Sequence, residues 1–406
     1  MSENKKLKVL CLVDNFYPVT GGINSVLDLS CPELNKYIDI AVCAIKHKTY
    51  VDPERSYKVY RCPGFYNCIT NDGIAQPTKE FEQFIADQHF DLFHCHTAGS
   101  LLGFAQKLGK KLNIPVLTTI HNTYYTEVKS FVKFGFLAKL VTKIFFKRTQ
   151  EKSDYLWAVS KYCIENAKRF GLTKPAKVMY NAIKFDDFSP EKVKEGCKII
   201  NKDFNIKEDD FVISTVSRII KTKNLDVILD CAKLIKDNHP EIKNIKFFVV
   251  GGGKYLEKMK KRAKKLGVDK DFFFTDMIKD RTYLANFYMR SDLVLFPSVM
   301  ESIGLIQTEA AAYEKVTLVF EGTAQSEEII DMENGLIAPR SAQGYLDKIL
   351  YAYNNPEEIK KIGKKARETL FRSYTDKKVT DHIINEYKNI IADFKAKKQE
   401  NDAKAK

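Results

Sequence analysis

Nothing at the start of this chain reads as a secretory leader, because residues 1–8 are polar and the apolar run behind them ends at Val13. A stretch of about 18 apolar residues, the length needed to span a bilayer, is missing as well. The nine cysteines stand singly with no C-x-x-C pair, which argues against a zinc ribbon or a disulfide framework and marks most of them as small core residues. Short-period repeats and low-complexity tracts are absent apart from a Lys-rich tail at 395–406. These absences predict a cytoplasmic protein that at most lies peripherally on the inner face of a membrane.

What is present is the material of a globular protein, with 44 % apolar and 29 % charged residues. At 406 residues the chain exceeds one ordinary core, so two domains of about 100 to 200 residues are expected. The net charge of +14 is unevenly spread. Residues 1–100 hold 10 Lys/Arg against 12 Asp/Glu, residues 101–184 hold 16 against 4, and residues 185–406 hold 40 against 36. A local field of +12 points to an anionic partner: a phosphorylated substrate, a lipid surface or nucleic acid. A merely solvated basic face is the plain alternative.

Short apolar runs alternate with helical patterns twice over. Strands are expected at 9–13, 38–44, 92–95, 116–120, 155–159 and 177–180, then at 211–216, 246–250, 272–274, 293–296 and 316–320, with helices such as 100–112, 224–235 and 255–266 between them. Uninterrupted apolar strands joined by crossover helices imply parallel sheets covered on both faces, hence an α/β protein of two Rossmann-like domains. The boundary is expected within 181–207, giving an N-terminal domain 1–184 and a C-terminal domain 185–375, with a helix near 376–394 packing back on the first. Ligands of such sheets bind outside the carboxyl ends of the strands, so a site is expected in a deep cleft between the two domains.

The strongest motif is Pro297-Ser298-Val299-Met300-Glu301-Ser302-Ile303-Gly304-Leu305-Ile306-Gln307-Thr308-Glu309. A strand ends before it and a helix is expected to start near Gly304, whose free N–H groups and macrodipole suit a diphosphate. Glu301 before the helix and Glu309 more than a turn inside it can accept hydrogen bonds from sugar and ribose hydroxyls on either side of the phosphates. This spacing, with its flanking residues, resembles the two-glutamate signature of glycosyltransferase family 4, a retaining family with the GT-B fold. The resemblance runs from Val9 to about Tyr387 and implies a nucleotide-sugar donor, expected to be a UDP-sugar, bound through Ser302, Gly304, Leu305 and Glu309, with Glu301 at the sugar.

Other segments extend the likeness. Arg218 and Lys223, in Ser217–Asp226, match the pair that holds the diphosphate, a planar fork beside a point charge. Gly21 and Gly22 look like the paired-glycine loop that approaches donor and acceptor. His121 matches a histidine beside the transferred sugar, although a histidine at a strand end is as often structural. Gly251-Gly252-Gly253 is either a structural turn or a ligand-contacting loop. The sequence departs from the family at Tyr313-Glu314-Lys315-Val316, at Gly322-Thr323 and at Ala182, which leaves the catalytic groups in place and puts the shape of the sugar pocket in question.

His94 and His96 alternate along a strand but lack a third convergent ligand in the sequence, and the resemblance implies no metal and no other cofactor. Residues 131–152 place Lys139, Lys143 and Lys147 on one helical stripe and Leu137, Leu140, Val141 and Ile144 on another. That face either lies on an anionic bilayer or covers the sheet. With His121 to Tyr125 it is similar to the branch that glycosylates diacylglycerol, so a lipid or cell-envelope glycan acceptor is expected. A soluble acceptor stays open, as does a sugar-nucleotide epimerase of the same fold, which would need further acid and base groups. Nucleic-acid binding is not expected, since no stacking aromatics or groove-entering element interleave with the charge.

Overall fold

The computed structural model describes residues 6–19, 21–66, 73–123, 125, 128, 132, 134–180, 189–374 and 376–404. The chain divides into two compact units, Met1–Lys184 with Tyr374–Lys406, and Phe185–Ser373.

In the first unit the strands are β1 (Lys8–Val13), β2 (Asp39–Ile45), β3 (Lys58–Cys62), the hairpin β4 (Gly64–Tyr66) and β5 (Gly73–Ala75), β6 (Leu92–Cys95), β7 (Val116–Ile120), β8 (Tyr155–Ala158) and β9 (Lys177–Val178). Seven of them form a parallel sheet in the order β3-β2-β1-β6-β7-β8-β9. Helices Gly22–Leu34 and Ser100–Leu112 are among those that cross over it. The residues of β1 from Val9 on and all of β6 and β7 are buried, as a sheet covered on both faces requires. The 29-residue helix Asp376–Lys404 belongs to this unit. It buries Val379, Ile383, Ile384, Tyr387, Ile390 and Ile391 in the same core as Val9, Cys11 and Leu27. Their spacing is a helical stripe, and each aliphatic side chain so buried contributes about 1.5–3 kcal/mol.

In the second unit β10 (Phe211–Val216), β11 (Ile245–Val250), β12 (Phe272–Phe274), β13 (Leu293–Phe296), β14 (Thr317–Phe320) and β15 (Leu336–Ala338) form a parallel sheet in the order β12-β11-β10-β13-β14-β15. Both sheets reverse their winding beside the first strand, between β1 and β6 and between β10 and β13. Those switch points are where open α/β sheets take ligands.

The edge strand β3 and the short β15 were not expected from the sequence. β3 reads Lys-Val-Tyr-Arg-Cys, half-buried with charges interleaved, and lacks the apolar run that marks the central strands. The two departures near β14 are explained by the backbone. Glu314 takes a left-handed φ of 57° in the turn before the strand, a conformation glycine adopts without strain. Gly322 after the strand keeps that freedom with φ 62°. Ala182 lies outside the described residues.

Candidate functional site

At the second unit's switch point the chain leaves β10 at Val216 and β13 at Phe296 on adjacent strands. The first exit carries Arg218 and Lys223. Arg218 is exposed, and its guanidinium makes no ion pair with a described residue. Its backbone is pinned from behind by the glycine turn: Ile219 N–H donates to Gly252 O at 2.9 Å and Tyr255 N–H to Ile219 O at 3.0 Å. A Cβ on Gly251 would stand 2.0 Å from Ser217 O, and one on Gly253 2.3 Å from Ile219 O. Both glycines have positive φ, 133° and 158°. Here the triple glycine turns tightly against the backbone that presents Arg218.

Lys223 closes a short 3₁₀ turn, Lys221–Lys223, capped by Asn224 at φ 55°. The Asn224 side-chain amide donates to Pro297 O at 3.2 Å and so ties the first exit to the second. Lys223 Nζ is ion-paired with Glu301 Oε1, both side chains being mostly buried. Ser298 Oγ donates to the same oxygen at 2.7 Å. The structure thus brings together two residues expected to serve different parts of a donor. The ammonium has further N–H bonds to give, and the carboxylate keeps its second oxygen as an acceptor.

The helix Leu305–Ala312 follows, with Gly304, which has no side chain to cap it, at its N-cap. A Cβ at Gly304 would lie 2.9 Å from Gln307 Oε1 and Gln325 Cγ, so a larger residue would have to displace those side chains. Ser302 is half-buried in the loop before it, and the side chain of Leu305 lies outside the described residues. Glu309 is exposed on the helix and accepts from Tyr288 Oη at 2.5 Å. Burial, then the Glu309 carboxylate, hold the Tyr288 phenol well above its usual range. Ser298 and Asn224 stand inside the motifs quoted from the sequence without a role assigned to them there, and Tyr288 lies outside those motifs; their hydrogen bonds give them one.

In the first unit Gly21 and Gly22 open the helix Gly22–Leu34, and a Cβ on either would meet nothing within 4 Å. Thr20 lies outside the described residues. Their surroundings leave room for a ligand without requiring one. Asp14, past β1, accepts from Ser100 Oγ at 2.7 Å and Leu101 N–H at 3.0 Å, tying the end of β1 to the helix after β6.

His121, just past β7, is buried. Its Nε2 lies 3.1 Å from Nδ1 of His96, which follows β6, and the rings stack at 5.3 Å and 29°. His96 in turn lies 4.0 Å from the ring of His94. Both nitrogens of His94 are taken, Nδ1 at 2.7 Å from Tyr387 Oη and Nε2 at 2.7 Å from Thr119 Oγ1. Burial pushes His121 down to about 4 and, with His121 nearby, His94 down to about 3. His96 falls well below its usual value for the same reason, burial first. The stack is neutral at physiological pH.

The expectation that the two strand histidines lack a third convergent ligand needs correction. Cys11 on β1 is the sheet partner of His94, and donor atoms of Cys11, His94 and His96 lie within 4.8 Å of one another. Sequence distance hid this neighbour. Ligation by His94 would break one of its two hydroxyl bonds, so the group suits a hydrogen-bonded stack better than a metal ion.

The helix Gly135–Phe145 buries only Ala138 and Thr142. Its apolar stripe does not cover the sheet: Leu137, Leu140, Val141 and Ile144 are exposed, and Phe134 and Phe136 are 78 % and 81 % exposed. Lys139, Lys143 and Lys147 are exposed beside them. Phe131, Lys133 and the side chain of Arg148, which belong to the same expected face, lie outside the described residues. No helix of the described residues is long and apolar enough to cross a membrane.

Comparison with known proteins finds relatives over both units. A family model described as Glycosyltransferase Family 4 matches residues 20–187, and one described as Glycosyl transferases group 1 matches residues 198–369. An uncharacterized glycosyltransferase of Methanocaldococcus jannaschii is 24 % identical over 87 % of this chain and 90 % of its own. Alpha-monoglucosyldiacylglycerol synthase of Streptococcus pneumoniae is 25 % identical over 75 % of this chain and 69 % of its own. The crystal structure of Anabaena HepE in complex with UDP superposes with a TM-score of 0.74 at 16 % identity, covering 94 % of this chain and all of that one. One glycosyltransferase model thus falls on each parallel-sheet unit, and the chain belongs to the family 4 and group 1 glycosyltransferases, enzymes of the GT-B fold.

Proposed function

We propose that this enzyme transfers a hexosyl group, with retention at the anomeric carbon, from a UDP-sugar to a membrane-associated lipid or cell-envelope glycan acceptor. The observation that carries the reading is the grouping of Arg218, Lys223 and Glu301 with the start of Leu305–Ala312, where glycine is the N-cap, at one switch point. Arg218, Lys223 and the helix N–H groups receive the diphosphate, where negative charge grows as the bond to the sugar breaks. Glu301 takes the sugar hydroxyls and Glu309 the ribose. Gly21, Gly22 and His121 are assigned to the sugar and acceptor side.

Glu301 is not the nucleophile in this reading, since it is matched to the sugar hydroxyls while the cationic groups face the leaving diphosphate. The bond from C1 to the diphosphate oxygen breaks first, and the acceptor oxygen bonds to C1 on the same face. The acceptor's proton leaves with the diphosphate. No metal is needed, because fixed cations and helix dipole supply the field, and EDTA is expected to leave turnover unchanged. A loss of turnover restored by one divalent ion would overturn that part.

The exposed apolar stripe of Gly135–Phe145 with its three lysines supports a lipid acceptor, as such a face gains about 1 kcal/mol per cation near an anionic surface. The likeness to a diacylglycerol-glycosylating enzyme favours the same class. The test is NMR of the product formed from UDP-glucose on monoglucosyldiacylglycerol or diacylglycerol in vesicles. An α-linked product is expected, and a β-linked one sinks retention.

A further inference from the structure

We propose that His96 is a positioning residue that locks His121 as the tautomer protonated on Nδ1, so that His121 presents a neutral N–H donor outward to an oxygen of its ligand. The lock follows from counting protons over four nitrogens. One proton must lie in the 3.1 Å contact between His96 Nδ1 and His121 Nε2. If His121 donated it from Nε2, the proton of His96 would sit on its own Nε2, which is buried without any hydrogen-bond partner. A buried N–H with no acceptor is the rarer and costlier orphan, by about 1–3 kcal/mol.

In the reverse arrangement His96 Nδ1–H donates, and its Nε2 is left as a bare lone pair. His121 then receives at Nε2 and carries its proton on Nδ1, which hydrogen-bonds no described residue. The arrangement is held by packing. His96 stacks on His94, whose two hydroxyl partners come from β7 and from the C-terminal helix Asp376–Lys404, and Tyr387 of that helix stacks on Trp157 at 5.5 Å and 6°. Burial keeps all three imidazoles uncharged, so the donor stays a dipole at physiological pH.

What the donor does rests on the reading of His121 as a sugar contact, whereas the lock itself does not. Two-bond proton–nitrogen correlation spectra of the full-length protein labelled at histidine nitrogen read the tautomer directly, with His121→Asn used to assign its signals. The wild type is expected to show a pyrrole-like Nδ1 and a pyridine-like Nε2 for His121. In His96→Leu the pattern should shift toward protonated Nε2, with UDP-glucose affinity reduced about three- to tenfold, the worth of one hydrogen bond. His96→Asn, whose amide can donate from near the Nδ1 position, should restore both. A protonated Nε2 in the wild type, or an unchanged His121 pattern in a folded His96→Leu, overturns the lock. An Nδ1-protonated wild type that His96→Leu alters, with UDP-glucose affinity untouched in both variants and in His121→Asn, upholds the lock and removes His121 from the proposed donor site.

Discussion

The two units share a topology and arm it with opposite electrostatics. At the switch point of the second, charged groups gather: Arg218 exposed, Lys223 paired with Glu301 and mostly buried with it, and a helix start with glycine at its N-cap. At that of the first, imidazoles and hydroxyls are buried in a neutral stack, and the one carboxylate described there, Asp14, is buried and held by Ser100 and the Leu101 N–H. The contrast fits a division of labour in which one unit meets a fixed diphosphate charge and the other orients uncharged hydroxyls. A buried imidazole cannot gain charge cheaply, whereas an exposed guanidinium and an ammonium with N–H bonds to spare can receive an incoming anion.

The sharpest way to break this comparison is to discharge the second unit. Arg218→Ala and Lys223→Ala are each expected to lower turnover about 100- to 1000-fold, the usual cost of removing a preorganised donor to developing charge. Thermal stability should change little in Arg218→Ala, whose side chain is exposed, and should fall in Lys223→Ala, which leaves the mostly buried Glu301 without its cation. Near-normal turnover in both variants would remove the cationic group from the mechanism.

The next largest effect is expected on the first unit's outer face. Changing Lys139, Lys143 and Lys147 together to Glu should lower co-sedimentation with phosphatidylglycerol vesicles by at least about tenfold while UDP-glucose hydrolysis persists. Wild-type binding should weaken as salt rises and be lost on phosphatidylcholine alone. Equal binding to both lipids would leave the apolar stripe without an electrostatic role.

A smaller effect sharpens the neutral half of the contrast. The histidine stack holds fewer protons when folded than when unfolded, because His94 and His121 sit near 3 and 4 against an ordinary value near 6.5. Stability from this source is complete above about pH 6.5 and is lost as pH falls toward 4, while the unfolded chain takes up protons first. Melting temperature should therefore fall across that window more steeply in the wild type than in His94→Gln. Parallel curves would show that the stack does not resist protonation.

Much of the second unit was legible because its chemistry is local. Strands β10, β12 and β13 fall where apolar runs predict them, Gly304 caps the helix expected there, and Arg218, Lys223 and Glu301 stand on the exits of neighbouring strands. What the sequence did not reveal was that Lys223 and Glu301 pair, a contact across 78 positions with Ser298 as third member. In the first unit the histidines were visible, yet Cys11 and Tyr387, their neighbours from β1 and the distant C-terminal helix, were not. The helical periodicity of 131–152 was readable, but whether its apolar face lay on the sheet was open until Phe136, Leu137 and Leu140 were found exposed.

Periodicity and local turn chemistry by themselves determined the two α/β units and the motif at each strand exit, because a strand's apolar run and a helix's stripe follow from residues a few positions apart. Only the tertiary structure decided which exits lie side by side, which histidine is braced by which hydroxyl, and which face of a helix is left uncovered. Those depend on strand order and on the return of residues 376–404 to the first unit, contacts between positions hundreds of residues apart. Closing such long loops leaves no trace in any short window of sequence.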